Sequence, residues 1–484
     1  MTEPSDPPWP APQPPGPLAR WGRVLGPVVG VVAVSIAHPE SGSVGGLGAD
    51  AAWTLGVLAW MVTWWITQAT AMATAALLPV VLLPVLGVSA FRQASAHYAD
   101  GVIFLFAGST VLGLALARHG VTRWLVHALL RMAGTSPARA VAALFVAAAV
   151  ASAFVSNTAT AAMMLPMAAA VAGRATIGPG GSEASRRDLD MLAVLAVAYG
   201  ATVGGGATLV GSPPNAIAAR YLLDQGITMD FARWSAHGVP VAMAMAALGL
   251  PLLLQALPVR GVRLELLAGR PPSLTWGGRL TVTVFACTVL AWITLPAWPD
   301  ALRPEGLSDA GIAVVAAILL LVLPACDGSG DALVPWRQTR QLPWGVFILF
   351  GGGLAIADAM QRTGLSQALG SGLAGLAGLP GPLLILALVT SLVLASEVAS
   401  NTALAAAAIP IVGAMAVESG LAVEKVVVAT AMAASYPFML PVATPPNALA
   451  FVTGRVPYGH MVRVGIRLDA LAVIVVSLLV WWLA

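Results

Sequence analysis

Residues 150–166 read VASAFVSNTATAAMMLP, and residues 394–410 read LASEVASNTALAAAAIP. In each stretch a small polar triplet, Ser-Asn-Thr at 156–158 and again at 400–402, interrupts a long apolar segment. The apolar arms beside each triplet hold only about 15–17 residues, whereas a helix needs about 20 to cross a membrane. Segments 138–173 and 381–416 are therefore predicted to be re-entrant hairpins, each entering and leaving the membrane on one side.

The composition sets the class of protein. Of 484 residues, 58% are hydrophobic and 9% are charged, against about 25% charged in an average soluble domain. This polar surface is too small to coat a soluble globule of this length, which excludes soluble enzymes, disordered chains and secreted disulfide scaffolds. The apolar runs are unbroken rather than alternating, which argues against a membrane β-barrel. The fold is predicted to be an all-α polytopic membrane protein.

Besides the two hairpins, about eleven apolar stretches are long enough to be predicted as transmembrane helices. They lie near 21–38, 50–66, 69–88, 101–117, 190–218, 236–256, 277–297, 309–325, 344–360, 425–452 and 462–483. Residues 1–20 are rich in Pro and are predicted to form a disordered tail, and residues 21–48 to form the first span and its loop.

Arginine-rich loops set the predicted orientation. With the N-terminus inside, the basic loops 118–139, 260–279 and 455–467 all fall in the cytoplasm, as the positive-inside rule requires. The acidic loops fall outside, and they carry Glu40, Asp50, Asp300, Glu305 and Asp309. The C-terminus is then outside an inner or plasma membrane. The net charge of +3 is attributed to these loops, and no nucleic-acid partner is expected.

The triplets belong to a longer internal repeat. GVIFLF at 101–106 recurs as GVFILF at 345–350, with the same offset that relates the two triplets. The Pro-Pro-Asn of 213–215 recurs at 445–447, with a slightly shorter offset. Each copy is predicted to hold five crossings and one hairpin, and an odd number of crossings inverts the second copy. Inverted repeats are typical of secondary transporters, and the predicted repeats span 49–258 and 259–484.

Both repeated motifs suggest chemistry that needs no charged side chain. A helix that begins at a tip aims its free N–H groups, at 159–161 and 403–405, at any anion beside it. Paired prolines remove backbone donors and unwind a helix, which leaves carbonyl oxygens for a hard cation such as Na⁺. Glu397 and Asp358 are the candidate intramembrane acids, and Glu397 is predicted to brace its hairpin or to tune the electric field there rather than to relay protons.

Two glycine runs, 204–206 and 351–353, could suggest phosphate loops. Neither run is followed by the Lys-Ser/Thr pair that such a loop requires. They are therefore predicted to allow close packing between helices.

These motifs resemble the divalent anion:sodium symporter family, which carries C4-dicarboxylates, citrate or sulfate. The resemblance extends from about residue 50 to the C-terminus and is carried by the runs SNTAT and MMLP at 156–166, LFGGGLA at 349–355 and ATPPNA at 443–448. It implies an elevator-type homodimer with eleven spans and two hairpins, embedded in membrane lipid.

The resemblance also implies a set of binding residues. One sodium site would use Ser152, Ser156, Asn157 and the backbone of Gly211. The second sodium site would use Ser396, the carbonyl of Ala399, Asn401 and the backbone of Ala443. The substrate carboxylates would meet Asn157, Thr158, Asn401 and Thr402, with Ser212, Thr444 and Pro445 nearby. Ser212 and Ser396 stand where the family usually has Thr, and both keep the hydroxyl.

The predicted function is sodium-coupled symport of small dicarboxylates such as succinate, malate or fumarate, with Na⁺ as the co-transported ion and no organic cofactor. A sulfate or citrate carrier and a sodium-independent dicarboxylate exchanger of the same family are the alternatives. A passive anion channel is disfavoured by the repeats. An intramembrane enzyme is disfavoured because no paired nucleophile and base or metal cluster is visible.

Overall fold

The computed structural model describes residues 17–37, 47–257, 259–265, 273–299, 304, 306–372 and 379–484. Most of the predicted tail and the positions of Glu40, Arg270, Asp300 and Glu305 lie outside the described residues. The described part forms 21 α-helices and two short strands. The helices are α1 Pro17–Ala37, α2 Ala49–Thr67, α3 Met72–Ala75, α4 Leu78–Val85, α5 Phe91–Ala96, α6 Gly101–Arg118, α7 Val121–Ala133, α8 Pro137–Ser152, α9 Asn157–Ala172, α10 Glu183–Gly205, α11 Pro213–Asp224, α12 Phe231–Ala256, α13 Trp276–Thr294, α14 Asp309–Val322, α15 Trp344–Arg362, α16 Leu365–Gly372, α17 Gly381–Ser396, α18 Asn401–Glu418, α19 Val423–Ser435, α20 Pro445–Val452 and α21 Tyr458–Leu483.

The apolar helices fall into two length classes. Among the described residues, seven helices are long and apolar enough to cross a membrane. They are Ala19–Ala37, Phe91–Arg118, Glu183–Gly205, Phe231–Ala256, Trp276–Ala297, Trp344–Arg362 and Tyr458–Leu483. The four arms of the predicted hairpins, α8, α9, α17 and α18, belong to the shorter apolar class. Their length agrees with arms that turn back at a tip. The fold is nearly all helical, as the composition predicts.

Several predicted elements differ in the structure. The span expected over 69–88 is divided into α3 and α4, because Pro79 has no N–H to donate to the carbonyl of Ala75. Helix α1 begins at Pro17, so the last residues of the predicted tail are helical. The amphipathic helix α7 was not anticipated. Nor was the antiparallel pair β1 Ala175–Ile177 and β2 Val262–Leu264, which joins the end of the first hairpin to the loop after α12.

Helix boundaries recur along the chain at the offsets of the sequence repeat. Helices α8 and α17 are both 16 residues long, and the arms that follow them begin at the equivalent asparagines Asn157 and Asn401. Helices α11 and α20 begin at Pro213 and Pro445, each with the Pro-Pro pair in its first turn. The repeated motifs therefore sit at equivalent places in the two halves.

Helices α10 and α19 form the centre of the fold. Every residue from Met191 to Gly205 is buried, and so is every residue from Val426 to Ser435. Small residues permit this packing, because a Cβ on Gly204 would lie 2.0 Å from the carbonyl oxygen of Ala149 in α8. A Cβ on Gly352 would lie 2.1 Å from the carbonyl oxygen of Ala76. The prediction that both glycine runs serve close helix packing is confirmed.

Candidate ion and substrate site

Two short turns connect the arms of the predicted hairpins. The first tip is residues 153–156, between α8 and α9, and the second tip is residues 397–400, between α17 and α18. The Ser156 hydroxyl caps α9 by accepting a hydrogen bond from the Ala159 N–H at 3.3 Å, whereas Ser400 makes no side-chain cap. The predicted donors at 159–161 and 403–405 are not all free, because the Thr160 N–H donates to the Ser156 carbonyl at 3.0 Å and the Leu404 N–H donates to the Ser400 carbonyl at 2.8 Å. Each second arm still begins at a tip, and a helix N-terminus favours anions.

The prolines interrupt both central helices as predicted. Helix α10 ends at Gly205 and α11 begins at Pro213, which leaves a first break at residues 206–212. Helix α19 ends at Ser435 and α20 begins at Pro445, which leaves a second break at residues 436–444. Thr444 caps α20 by accepting from the Asn447 N–H at 3.2 Å. Each break leaves backbone carbonyls outside a helix, where side chains must satisfy or use them.

The residues on either side of the first tip pack against the end of α10, next to the first break. The Ser152 hydroxyl donates to Asn157 Oδ1 at 2.6 Å, which orients the Asn157 amide. A Cβ on Gly205 would lie 2.4 Å from Asn157 Oδ1, so a larger residue at this position would displace the Asn157 amide. Gly211 in turn approaches the Gly205 carbonyl, because a Cβ on Gly211 would lie 2.6 Å from that oxygen. Three predicted residues of one sodium site, Ser152, Asn157 and Gly211, are thus gathered around Gly205.

The second tip is held to the second break by a carboxylate. Glu397 is 1% exposed, and its Oε1 and Oε2 accept hydrogen bonds from the N–H groups of Met439 at 2.8 Å and Leu440 at 2.6 Å. Asp469 of α21, 4% exposed, accepts from the N–H of Phe438 at 2.9 Å. Two buried acids therefore hold three consecutive backbone donors of the break.

In both halves a hydrogen bond joins the tip to the break at equivalent positions, but the side chain that makes this bond comes from the break in the first half and from the tip in the second. In the first half the Thr208 hydroxyl on the break donates to the carbonyl of Ala153 on the tip. In the second half Glu397 on the tip accepts from the N–H of Leu440 on the break. Positions 153 and 397 are related by the offset of the triplets, and positions 208 and 440 by the offset of the Pro-Pro-Asn motifs. One contact is thus made twice, once by a side chain of the break and once by a side chain of the tip.

The two breaks lie next to each other. A Cβ on Gly206 of the first break would lie 2.1 Å from the Tyr436 hydroxyl of the second. The hydroxyl oxygen of Ser212 is also 3.1 Å from that of Ser435, the last residue of α19, which is within hydrogen-bonding distance, and both residues are buried. The Tyr436 hydroxyl donates to the carbonyl of Val203 at 3.2 Å, which ties the second break to the end of α10. Residues from both repeats therefore meet at one place in the fold, where the sequence predicts the site.

The predicted binding residues differ in exposure. Ser152, Ser396, Gly211, Ser212, Ala443 and Thr444 are buried; Asn157, Ala399, Asn401 and Thr402 are half-buried; Ser156, Thr158 and Pro445 are exposed. The two predicted sodium sites are also not identical, because the Ser396 hydroxyl donates to the carbonyl of Val393 at 2.8 Å instead of to an asparagine. Within the described chain no hydrogen bond joins the Ser-Asn-Thr triplets to each other.

The acids near the site differ from the prediction in two respects: Asp358 lies elsewhere, and Asp469 was not predicted. Asp358 is paired with Arg362 at 2.8 Å and His97 at 3.3 Å, so it belongs to an ion-pair cluster rather than to the two tips. Asp469 was missed, although a lone acid inside the last long apolar segment is a recognised signal of function. Glu397 contacts the second break, in agreement with the bracing role that the sequence suggested.

Other contributing residues were also missed. Asn215 donates from Nδ2 to the carbonyls of Gly205 at 3.0 Å and Thr208 at 2.8 Å. Asn447 donates from Nδ2 to the carbonyls of Phe438 at 3.3 Å and Leu440 at 3.1 Å. Both asparagines follow the repeated prolines, and that repetition was the signal that could have identified them.

Comparisons with known proteins identify the family and the fold. Residues 62–435 match the family model described as citrate transporter. The chain is 32% identical over 479 residues to the sodium-dependent dicarboxylate transporter SdcS of Staphylococcus aureus strain bovine RF122 / ET3-1, covering 95% of this chain and 90% of the relative. The protein of that name from strain USA300 matches to the same extent. The fold resembles the crystal structure of the Alcanivorax borkumensis YdaH transporter with a TM-score of 0.61 at 15% identity, covering 96% of this chain and 97% of that one.

Proposed function

Because the chain belongs to the divalent anion:sodium symporter family, an assignment on which the citrate transporter match and the dicarboxylate-transporter relatives agree, we propose that it imports small dicarboxylates together with Na⁺. The protein is an integral membrane transporter and not an enzyme. Succinate, malate and fumarate are the proposed substrates, and the mechanism is an elevator movement of the site within a homodimer. The N-terminus is cytoplasmic and the C-terminus lies outside.

One observation carries this proposal: each polar tip is tied to an unwound break at equivalent positions of the repeat. Two helix N-termini, those of α9 and α18, supply partial positive charge for the two carboxylates of a substrate. Asn157, Thr158, Asn401 and Thr402 are the proposed substrate contacts, with Ser212, Thr444 and Pro445 beside them. Two of the four contacts come from each repeat, which suits a substrate with a carboxylate at each end.

The cations bind where hydroxyl, amide and carbonyl oxygens converge. The first proposed site uses Ser152, Ser156, Asn157 and Gly211, and the second uses Ser396, Ala399, Asn401 and Ala443. Oxygen ligands without a full negative charge suit a monovalent hard cation that must bind and leave in each cycle. Two Na⁺ only neutralise a dianion, so we propose that at least three Na⁺ accompany each substrate.

Uptake of labelled succinate into proteoliposomes tests the proposal. We expect accumulation with an inward Na⁺ gradient and little without it, with weaker inhibition by sulfate and citrate than by malate or fumarate. Strong inhibition by sulfate or citrate would instead identify one of these as the substrate. Equal uptake in Na⁺ and choline media, stimulated by internal dicarboxylate, would identify an exchanger and reject the symporter.

A further inference from the structure

The two Pro-Pro-Asn asparagines have an unusual hydrogen-bond balance. Asn215 and Asn447 are both 0% exposed, and each uses its Nδ2 group to bind two backbone carbonyls at its own break. Carbonyl oxygens only accept hydrogen bonds, so the amide nitrogen must face them. The orientation of each side-chain amide is therefore determined by its neighbours, and Oδ1 must point away from those carbonyls.

Both amide oxygens are left without a donor. Oδ1 of Asn215 and Oδ1 of Asn447 are buried and accept no hydrogen bond from any residue that the structure describes. Burying a polar atom without a partner costs about 1–3 kcal/mol, and such atoms are rare in native proteins. The same cost appears at equivalent positions of both repeats, so a shared function is a better explanation than a local packing defect.

The surroundings of these oxygens suit a cation. Na⁺ is a hard ion that prefers neutral or anionic oxygen ligands, and each of these amide oxygens keeps both lone pairs free of hydrogen bonds from the described residues. In the first half, Asn215 binds the Gly205 carbonyl while the proposed ligand Asn157 packs on the same glycine. Asn215 thus shares a neighbour with an amide already assigned to a sodium site.

We propose that Asn215 and Asn447 each contribute Oδ1 to the Na⁺ bound at their own break, while their amide hydrogens hold the neighbouring carbonyls in place. Each asparagine would then act in two ways, as a ligand through oxygen and as a clamp through nitrogen. This inference rests on the proposed sodium coupling and adds one oxygen ligand to each of the two proposed sites.

The test compares aspartate and leucine at each position in the full-length protein purified in detergent. Aspartate keeps an oxygen where Oδ1 lies and adds a charge that attracts a cation, but it loses both donated hydrogen bonds. Leucine has a similar shape and neither function. Thr281→Val is the matched control, because Thr281 in α13 is also fully buried with an unpartnered Oγ1 among the described residues but is remote in sequence from both breaks.

The readout is the rise of the thermal unfolding midpoint with Na⁺ concentration, which reports binding without requiring transport. We expect Asn215→Leu and Asn447→Leu to raise the half-saturating Na⁺ concentration about tenfold or more. This concentration should rise less in Asn215→Asp and Asn447→Asp than in the leucine variants. In Thr281→Val it should equal that of the wild type.

A larger rise of the half-saturating Na⁺ concentration in the aspartate variants than in the leucine variants would overturn the assignment. If the asparagines served only as clamps, aspartate would be worse than leucine, because carboxylate oxygens would face carbonyl oxygens. Unchanged Na⁺ dependence in the leucine variants would also reject it while leaving sodium coupling intact. If a leucine variant does not purify as a folded protein, an aspartate variant that keeps Na⁺ binding supports the proposal, and one that loses it rejects the proposal. A wild type without any Na⁺ response would refute sodium coupling and the ligand assignment together.

Discussion

Glu397 should contribute more to stability than any other single contact between a tip and a break. Its two oxygens accept from the buried N–H groups of Met439 and Leu440, and a buried donor left without an acceptor costs about 1–3 kcal/mol. Glu397→Leu leaves both donors without an acceptor, for an expected loss of about 2–6 kcal/mol. Thr208→Val, which removes the single equivalent bond of the first half, should cost about 1 kcal/mol.

A third variant separates hydrogen bonding from charge. Glu397→Gln and Glu397→Leu both remove the carboxyl group, but glutamine keeps one acceptor oxygen. The difference between them, about 1–3 kcal/mol, therefore measures one buried N–H with and without a partner. Unfolding of the purified proteins in one detergent, followed by denaturant titration or thermal midpoint, should give the order Thr208→Val, Glu397→Gln, Glu397→Leu from smallest to largest loss. A Glu397→Leu protein as stable as Thr208→Val would show that the carboxylate does not brace the second break.

The other predictions concern transport. Asn157→Ala or Asn401→Ala should abolish succinate uptake while the protein still inserts and purifies as a folded protein, and near-normal uptake by either variant would reject its assignment to the site. Gly205→Ala should also abolish uptake, because its Cβ would lie 2.4 Å from Asn157 Oδ1, whereas Gly459→Ala, where nothing lies within 4 Å of the added Cβ, should transport normally; equal activities would show that Gly205 does not position the amide. An inside-negative potential should accelerate succinate entry at a fixed Na⁺ gradient, because moving one net positive charge inward releases about 2.3 kcal/mol per 100 mV. An uptake rate that does not change with the potential would mean electroneutral coupling without a third Na⁺.

The sequence alone determined the class of protein, the tips and the breaks. Low charge and long apolar runs permit only a membrane protein, and Ser-Asn-Thr and Pro-Pro-Asn interrupt helices through local chemistry that acts without distant partners. Repetition at fixed offsets then located equivalent positions in both halves. The ends of the two breaks, where α11 begins at Pro213 and α20 begins at Pro445, follow from these local signals, whereas their starts after Gly205 and Ser435 were not predicted.

Only the tertiary structure decided which side chains serve the breaks. Glu397 and Asp469 come from distant parts of the chain, the second tip and the last helix, yet both bind the amides of residues 438–440. Residues 153 and 208 have no local pattern that predicts their contact. The physical reason is that an unwound backbone buried in an apolar environment must find partners wherever the packing brings them, and hydrogen bonds of that kind are set by three-dimensional proximity rather than by sequence spacing.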